Sequence, residues 1–294
     1  ATEHFNTCCT VNPRVYRENR VPLTLPRAQT ARSVVVVGGG PAGLKAALTA
    51  AQRGHQVTLV EQSGALGGLM IPASVGAFKE DLRRYLSYLR RQVEKSQIHV
   101  MLHTRADRAP LEHLHPDAVI LAVGGRAVMP PVPGLGTSGA VQAVALLNAG
   151  LESAGTRVTI LGGGSIGCEL ALELAALDRM VTVVELRDKL AANGNELYRQ
   201  DLMLHLEQET RITILTQTVC TGVTAQGCTV REKDGGTRVI PHDTFVIAAG
   251  LRADADAVEA LYGVVPETYY VGDCKRAASI TEATTEAYFL GASL

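Results

Sequence analysis

At 294 residues, with 46% hydrophobic and 19% charged side chains, the chain is long enough to bury two ordinary cores, and two domains are expected. A formal net charge of −1 gives no general electrostatic reason to bind nucleic acid or an anionic membrane, which leaves small molecules and proteins as partners. No apolar run approaches the roughly 20 residues that cross a bilayer, and the N-terminus lacks the charged-then-apolar order of a signal peptide, so a soluble, cytoplasmic protein is expected.

Residues 1–32 carry three prolines and five arginines with no sustained periodicity, and are expected to be an extended lead-in. From Ser33 the pattern changes to Val34-Val35-Val36-Val37, then Gly38-Gly39-Gly40-Pro41-Ala42-Gly43, then an Ala/Leu-rich run to about Arg53: strand, tight turn, helix. A second apolar run over 57–60 ends in Glu61 and completes a strand–helix–strand unit. An amphipathic helix is predicted over 78–95, strands over 98–102 and 118–123, and a Pro-rich connection over 129–136. The opening grammar then returns. Residues 158–161 lead into Gly162-Gly163-Gly164-Ser165-Ile166-Gly167, a helix to about Leu177 and a strand over 181–184 ending in Glu185, so the chain contains an internal repeat of 124 residues. Further strands are predicted at 212–218, 227–233 and 244–249, with a turn at Asp234-Gly235-Gly236, a strand end at 269–272 and a helix from about Ser279.

A G-x-G-x-x-G turn after a buried strand removes a Cβ wherever crowding would block the fold or a ligand. Gly38 permits the turn, Gly40 lets the backbone approach a pyrophosphate, and Gly43 lets the helix pack on the strand. The helix N-terminus supplies free N–H groups and partial positive charge for the phosphates. Glu61, eighteen residues after Gly43, stands where a ribose hydroxyl would donate to it. Gly162, Gly164, Gly167 and Glu185 meet the same tests independently, so two dinucleotides are implied, or one dinucleotide and a related nucleotide. At the second site Glu185 favours NADH by repelling a 2′-phosphate, whereas Arg187, turned inward, would admit NADPH.

The six cysteines, at 8, 9, 168, 220, 228 and 274, include no C-x-x-C, no disulfide framework and no complete metal site. Cys168 and Cys274 read as packing residues. None of the eight histidines falls in a nucleophile–base pattern, and hydride transfer between a nicotinamide and a flavin needs alignment rather than a side-chain proton, so no catalytic acid or base is assigned.

Beyond these motifs the chain resembles the two-dinucleotide-binding-domain flavoproteins, an α/β class with two Rossmann-like dinucleotide-binding domains in which the NAD(P)H domain is inserted in the FAD domain. The matching residues are Gly67-Gly68 in Ala65-Leu66-Gly67-Gly68-Leu69, the strand and turn over 117–125, the similar segment 243–250, and Val271-Gly272-Asp273. The resemblance implies an FAD domain over 33–147 and 243–294 and a nicotinamide domain over 148–242. It implies FAD contacts at Gly38, Gly40, Pro41, Ala42, Gly43, Glu61, Gln62, Gly68, Leu69, Ala106, Ala122, Gly124, Gly272, Asp273 and Ile280. For the nicotinamide nucleotide it implies Gly162, Gly164, Ser165, Ile166, Gly167, Glu185 and Gly250. In that family the last aspartate holds the flavin ribityl chain and the next helix points its N-terminus at the flavin pyrimidine, roles that fall on Asp273 and on residues 279–283.

The lead-in Cys8-Cys9-Thr10-Val11-Asn12-Pro13-Arg14 is similar to the segment joining barrel and nucleotide-binding domains in old-yellow-enzyme-type iron–sulfur flavoproteins, the group of 2,4-dienoyl-CoA reductase, enoate reductase and trimethylamine dehydrogenase. There a C-x-x-N-P cysteine is the last ligand of a [4Fe–4S] cluster, and Cys9 matches it. The FMN-bearing barrel and the other cluster cysteines have no counterpart in this sequence. The chain is therefore expected to be a fragment, a separate subunit or a descendant without the cluster; a first residue that is Ala rather than Met favours an excised or processed chain. The function expected is an NADH:FAD electron-input module for an iron–sulfur/FMN ene-reductase-like partner, with homo-oligomers possible. A non-redox ADP-binding module and a free-standing diaphorase are the alternatives.

Overall fold

The computed structural model describes residues 8–294. The chain forms two compact units: the lead-in through Ile71 with Glu80–Arg126 and Arg252–Leu294, and Pro72–Lys79 with Ala127–Leu251.

In the first unit five parallel strands lie in the order Thr268–Tyr270, Ala118–Leu121, Ser33–Val37, Gln56–Val60, His99–Met101. The central strand is a run of valines because both its faces are covered, as parallel sheets require. Val34 and Val36 pack among Leu44, Ala47, Leu86, Leu89 and Ala287, from the helices Pro41–Gln52, Glu80–Glu94 and Ile280–Ser293. Val35 and Val37 face the opposite side, with Leu111, Leu261 and Val264. Small residues let two of the helices touch: a Cβ on Gly291 would come within 2.9 Å of Thr49 Cβ.

The second unit repeats the plan, with parallel strands in the order Val141–Gln142, Thr244–Ile247, Arg157–Leu161, Met180–Val184, Ile212–Leu215. A three-stranded antiparallel sheet of Val219–Val223, Gly227–Arg231 and Thr237–Pro241 packs its apolar face against this sheet through Val184, Phe245 and Ile247. The bounds differ from the division expected at 147/148 and 242/243. The strands Val141–Gln142 and Thr244–Ile247 pair side by side in the second sheet, which draws residues 127–147 and 243–251 into this unit.

The lead-in is not simply extended. It makes successive turns, with Val15 N donating to Asn12 O and Arg17 N to Arg14 O, and it is anchored on the last helix, where Thr284 Oγ1 donates to Thr10 O at 2.9 Å. The helix predicted over 78–95 runs Glu80–Glu94, but those at Arg108–His113, Ala143–Ala149, Glu196–Gln208 and Ala255–Leu261 were not anticipated. Among the described residues no helix is long and apolar enough to cross a membrane.

Candidate functional site

In each unit the strand order reverses beside the strand that leads into the glycine turn, between Ser33–Val37 and Ala118–Leu121 and between Arg157–Leu161 and Thr244–Ile247. Open α/β sheets form a crevice for ligands at the carboxyl ends of the strands flanking such a reversal. In the first unit Gly38, Glu61, Ala122, Gly124, Gly272 and Asp273 all follow the ends of parallel strands at that edge.

The glycines there divide into two kinds. Gly38 has φ +105°, and a Cβ on it would meet Ala122 O at 2.3 Å, while a Cβ on Gly43 would stand 1.8 Å from Gly38 O. These two are fixed by the protein's own backbone. A Cβ on Gly40, or on Gly124 with φ +77°, would meet nothing within 4 Å. Their missing side chains leave free space, a cradle whose floor is the start of the helix Pro41–Gln52. That helix has Gly40 as its N-cap without a side-chain capping bond and Pro41 in its first turn, so its N-terminal amides remain available to an anion. Gly67 N donates to Gly39 O at 2.7 Å, and Gly68, with φ +50°, lies so close that a Cβ on it would be 2.9 Å from Gly40 Cα. The 65–69 turn thus clasps the glycine loop through Gly67 and Gly68, and Leu69 follows them half-buried.

Glu61 is 7% exposed and accepts from Gly39 N through Oε2 and from Ser63 N through Oε1, both at 2.7 Å. Each carboxylate oxygen keeps a lone pair, so the group that braces the loop can also accept from a ribose hydroxyl. Gln62 and Ala106 lie on the flanking loops, exposed and half-buried respectively.

Across the same edge, Gly272 has φ +71°, and Asp273 Oδ1 accepts from Ala278 N at 3.1 Å. A cavity of about 260 Å³ is lined by Gly272, Asp273, Arg276, Ala278, Glu282 and Glu286. Ser279 caps the helix Ile280–Ser293 in a reciprocal capping box with Glu282, leaving the first-turn amides around Ile280 free. Burial, then repulsion from Glu282, pushes the Asp273 carboxyl above the usual range. A raised folded-state value means that ionised Asp273 costs stability, a cost that vanishes below the unfolded value and grows as pH rises through the folded one. Asp273→Asn, which keeps the acceptor for Ala278 N, is therefore expected to raise the melting temperature of the ligand-free chain at pH 7 but not at pH 3.5. Thermal melts at the two pH values check this, and an equal or opposite shift at pH 7 would contradict it.

The second unit reproduces the first. A Cβ on Gly162 (φ +113°) would meet Ala248 O at 2.4 Å and one on Gly167 would meet Gly162 O at 2.0 Å, whereas Gly164 and Gly250 (φ +94°) face open space. Gly164 is the N-cap of the helix Ser165–Ala176, whose first turn carries Ser165 and Ile166. Glu185 accepts from Gly163 N at 2.6 Å and from Arg187 N at 2.8 Å. The amide of Arg187 is thus held by Glu185, and its side chain lies at the surface.

The correspondence extends to the far edge of each sheet. Asp117 Oδ2 accepts from Ser33 N at 2.8 Å, and Asp243 Oδ2 from Arg157 N at 2.9 Å, so each aspartate pins the start of the strand that leads into its unit's glycine turn. Asp243 also pairs with the Arg157 guanidinium at 2.7 Å, which holds its carboxyl below the usual range. A cavity of about 180 Å³ lined by Ser138, His242, Asp243 and Phe245 lies at that edge, away from the glycine turn.

Sequence reasoning missed one cluster. Glu169, on the helix that opens at the second glycine turn, receives Lys79 Nζ at 2.8 Å and the Tyr198 hydroxyl on the same Oε1. The ammonium lies 4.9 Å from the Phe78 ring centre and 5.6 Å from that of Tyr198. Glu169 stands one turn beyond Ser165, a spacing visible in the sequence, but its lysine comes from ninety residues upstream.

Cys9 is half-buried near Lys45 and Tyr85. Burial pushes Lys45 below its ordinary value, and its Nζ donates to Val11 O at 3.3 Å. Among the described residues no three His, Cys, Asp or Glu side chains gather as a metal site, so Cys9 has no companion ligands there.

Comparison with known proteins agrees with this geometry. The family model described as pyridine nucleotide-disulphide oxidoreductase matches residues 32–287. The bilirubin reductase of Mediterraneibacter gnavus is 34% identical over 266 residues, covering 90% of this chain and 41% of that protein. The NADH oxidase of Thermoanaerobacter brockii is 36% identical over 248 residues, covering 82% of this chain and 37% of its own length. The structure of a 2-naphthoyl-CoA reductase superposes with a TM-score of 0.92 at 26% identity, covering 98% of this chain and 43% of the other. The chain spans about two fifths of the length of the relatives it matches.

Proposed function

This chain belongs to the pyridine nucleotide-disulphide oxidoreductase family, which binds FAD and a nicotinamide nucleotide, and on that premise we propose that its first unit holds FAD and its second NADH, the pair acting as an NADH:FAD oxidoreductase module. The single observation that carries this reading is the duplicated cradle: Gly40 and Gly164 each cap a helix start with open space where a Cβ would stand. A purely structural turn would have filled that space, as the backbone fills the space beside Gly43 and Gly167.

Bound FAD supplies a two-electron acceptor for hydride. The chain's own residues bind and orient. The free amides opening the helices Pro41–Gln52 and Ser165–Ala176 take the diphosphates. Glu61 and Glu185 would hold the riboses and Asp273 the ribityl chain, and the uncapped amides at Ile280 and Thr281 would offer partial positive charge to the flavin ring. No side chain needs to accept a proton in the hydride step.

Electrons would leave toward a barrel domain or subunit carrying FMN and a [4Fe–4S] cluster, as the Cys9 segment suggests and as the greater length of the relatives allows. Cys9 is proposed as one ligand of that cluster. With one thiol no cluster assembles on this chain alone.

Steady-state reduction of ferricyanide by the FAD-loaded chain tests the module without its partner. NADH-dependent turnover is expected, and absence of turnover with either NADH or NADPH overturns the assignment in favour of a nucleotide-binding role. The specificity part has its own test. Glu185→Ser removes the charge facing the 2′ position and leaves Arg187 nearby, so the KM for NADH should rise by about tenfold, the worth of a hydrogen bond to a charged group of ~1.5 kcal/mol, and the KM for NADPH should fall. Unchanged KM values for both nucleotides would remove Glu185 from the ribose site.

A further inference from the structure

We propose that Thr10 is a positioning residue that couples the Cys9 segment to the flavin site, so that FAD held in the first unit and the lead-in docked on that unit each tighten the other. The proposal rests on the reading of the first unit as the FAD site. In that reading two helices start at the cofactor, Pro41–Gln52 at the glycine cradle and Ile280–Ser293 across the sheet edge. Residues 10 and 11 bridge them. The Thr10 and Thr281 hydroxyls share a hydrogen bond at 2.5 Å although they stand 271 residues apart in the chain, and Thr281 is the second residue of its helix. One turn on, buried Thr284 Oγ1 donates to Thr10 O at 2.9 Å, nearer than the Ile280 and Thr281 carbonyls of its own helix at 3.0 and 3.2 Å. From the other helix Lys45, one turn after Pro41, donates through Nζ to Val11 O at 3.3 Å and lies 5.6 Å from the Tyr288 ring centre. Cys9 is the next residue, its Cα about 3.8 Å from that of Thr10.

A tail held only for anchorage could bond anywhere along Ile280–Ser293. The lead-in does touch the far half of that helix, where the Arg17 guanidinium stands 5.5 Å from the Phe289 ring centre, but the hydrogen bonds that Thr10 makes fall in the first two turns. Helix ends fray, because their first amides have no partner within the helix. Here the capping box ties down Glu282 N and Ser279 N and leaves the amides of Ile280 and Thr281 open. The Thr281 side chain is held by Thr10 while its amide is left for the flavin. A cofactor on the amides and the lead-in on the hydroxyl thus restrain the same turn, and each lowers the ordering cost that the other must meet. Such coupling is reciprocal: the factor by which FAD tightens the lead-in is the factor by which the lead-in tightens FAD. It runs through one neutral hydroxyl pair, which sets its size at about fivefold, the worth of a single hydrogen bond. The segment that carries Cys9 is in this way firmly docked only when the flavin is in place.

The test uses the full chain in a Cys8→Ser background, where Cys9 is the one remaining cysteine that is not buried. Alkylation of Cys9 by iodoacetamide is timed by mass with and without saturating FAD, and FAD affinity is measured by fluorescence titration. FAD should slow the alkylation about fivefold in the parent. Thr10→Val, which keeps the side-chain shape and the carbonyl but removes the hydroxyl, should lose most of that protection and weaken FAD by a similar factor. Thr10→Ser, which keeps a hydroxyl, should retain both. Unchanged FAD affinity in Thr10→Val overturns the proposal, whether Cys9 stays protected or reacts faster with and without FAD alike, as a mere anchor would have it. FAD binding to the parent with no protection of Cys9 overturns it too. A parent chain that takes up no FAD overturns the FAD assignment itself, and the coupling falls with it. Should Thr10→Val fold poorly by circular dichroism, Thr281→Val breaks the same bond from the helix side and is read in the same way.

Discussion

A chain carrying Gly43→Ala is expected to fold poorly and to lose FAD altogether, whereas Gly40→Ala, three residues earlier in the same turn, is expected to fold normally and lose only the flavin. The new Cβ at position 43 would stand 1.8 Å from Gly38 O and 3.0 Å from Gly38 C, against backbone that has no rotamer to move away through. Helix and strand must separate, at a cost of at least ~3 kcal/mol, a large part of the ~5–15 kcal/mol that stabilises a domain. At Gly40 nothing lies within 4 Å, so the methyl costs the fold little. It occupies the space in front of the free amides of Pro41–Gln52 that a pyrophosphate needs. Melting temperature and flavin content of the two purified variants check the contrast. Normal FAD retention by Gly40→Ala would show that this cradle holds no diphosphate.

The second unit supplies the matching experiment on the other nucleotide. Gly164→Ala should leave stability and FAD content unchanged while weakening NADH binding by about 100-fold, equivalent to the loss of two charge-assisted hydrogen bonds worth ~3 kcal/mol together. Gly167→Ala, with its Cβ 2.0 Å from Gly162 O, should instead destabilise the second unit. Because the two units have separate cores, the first should keep its flavin in either variant. Isothermal titration with NADH and a two-transition thermal melt separate these outcomes. Equal NADH affinity in Gly164→Ala and the parent would contradict the role of that glycine.

Much of this was legible in the sequence for a physical reason. A buried parallel strand, a turn that tolerates no Cβ and a helix packed on it leave a fixed spacing of valines, glycines and a terminal acid, and the chain writes that pattern twice. The helix Glu196–Gln208 was missed, although Asn195, whose side chain accepts from Leu197 N and Tyr198 N, is a residue type that opens helices. What stayed hidden depends on contacts between distant residues or on local irregularity. The strand Val141–Gln142 is two residues long and takes its identity from its partner Thr244–Ile247. The Lys79–Glu169–Tyr198 cluster joins three segments, and the inward turn of Cys220 depends on a single slipped residue in the ladder.

Glu61 and Glu185 show a subtler gap. The acidic strand end was read as a ribose acceptor, and the structure gives it a second task, bracing the glycine loop through Gly39 N and Gly163 N. One carboxylate thus sets the loop's shape while keeping lone pairs for the proposed sugar, and the bracing alone already suits an acid rather than a neutral acceptor at the position.

Mixing the FAD-loaded chain with one equivalent of NADH in the absence of oxygen, while following the visible flavin band, tests the pairing of the two cradles most directly. Bleaching at a stoichiometry of one NADH per FAD is the result expected of an electron-input module. A band that keeps its oxidised intensity while NADH is demonstrably bound would contradict it.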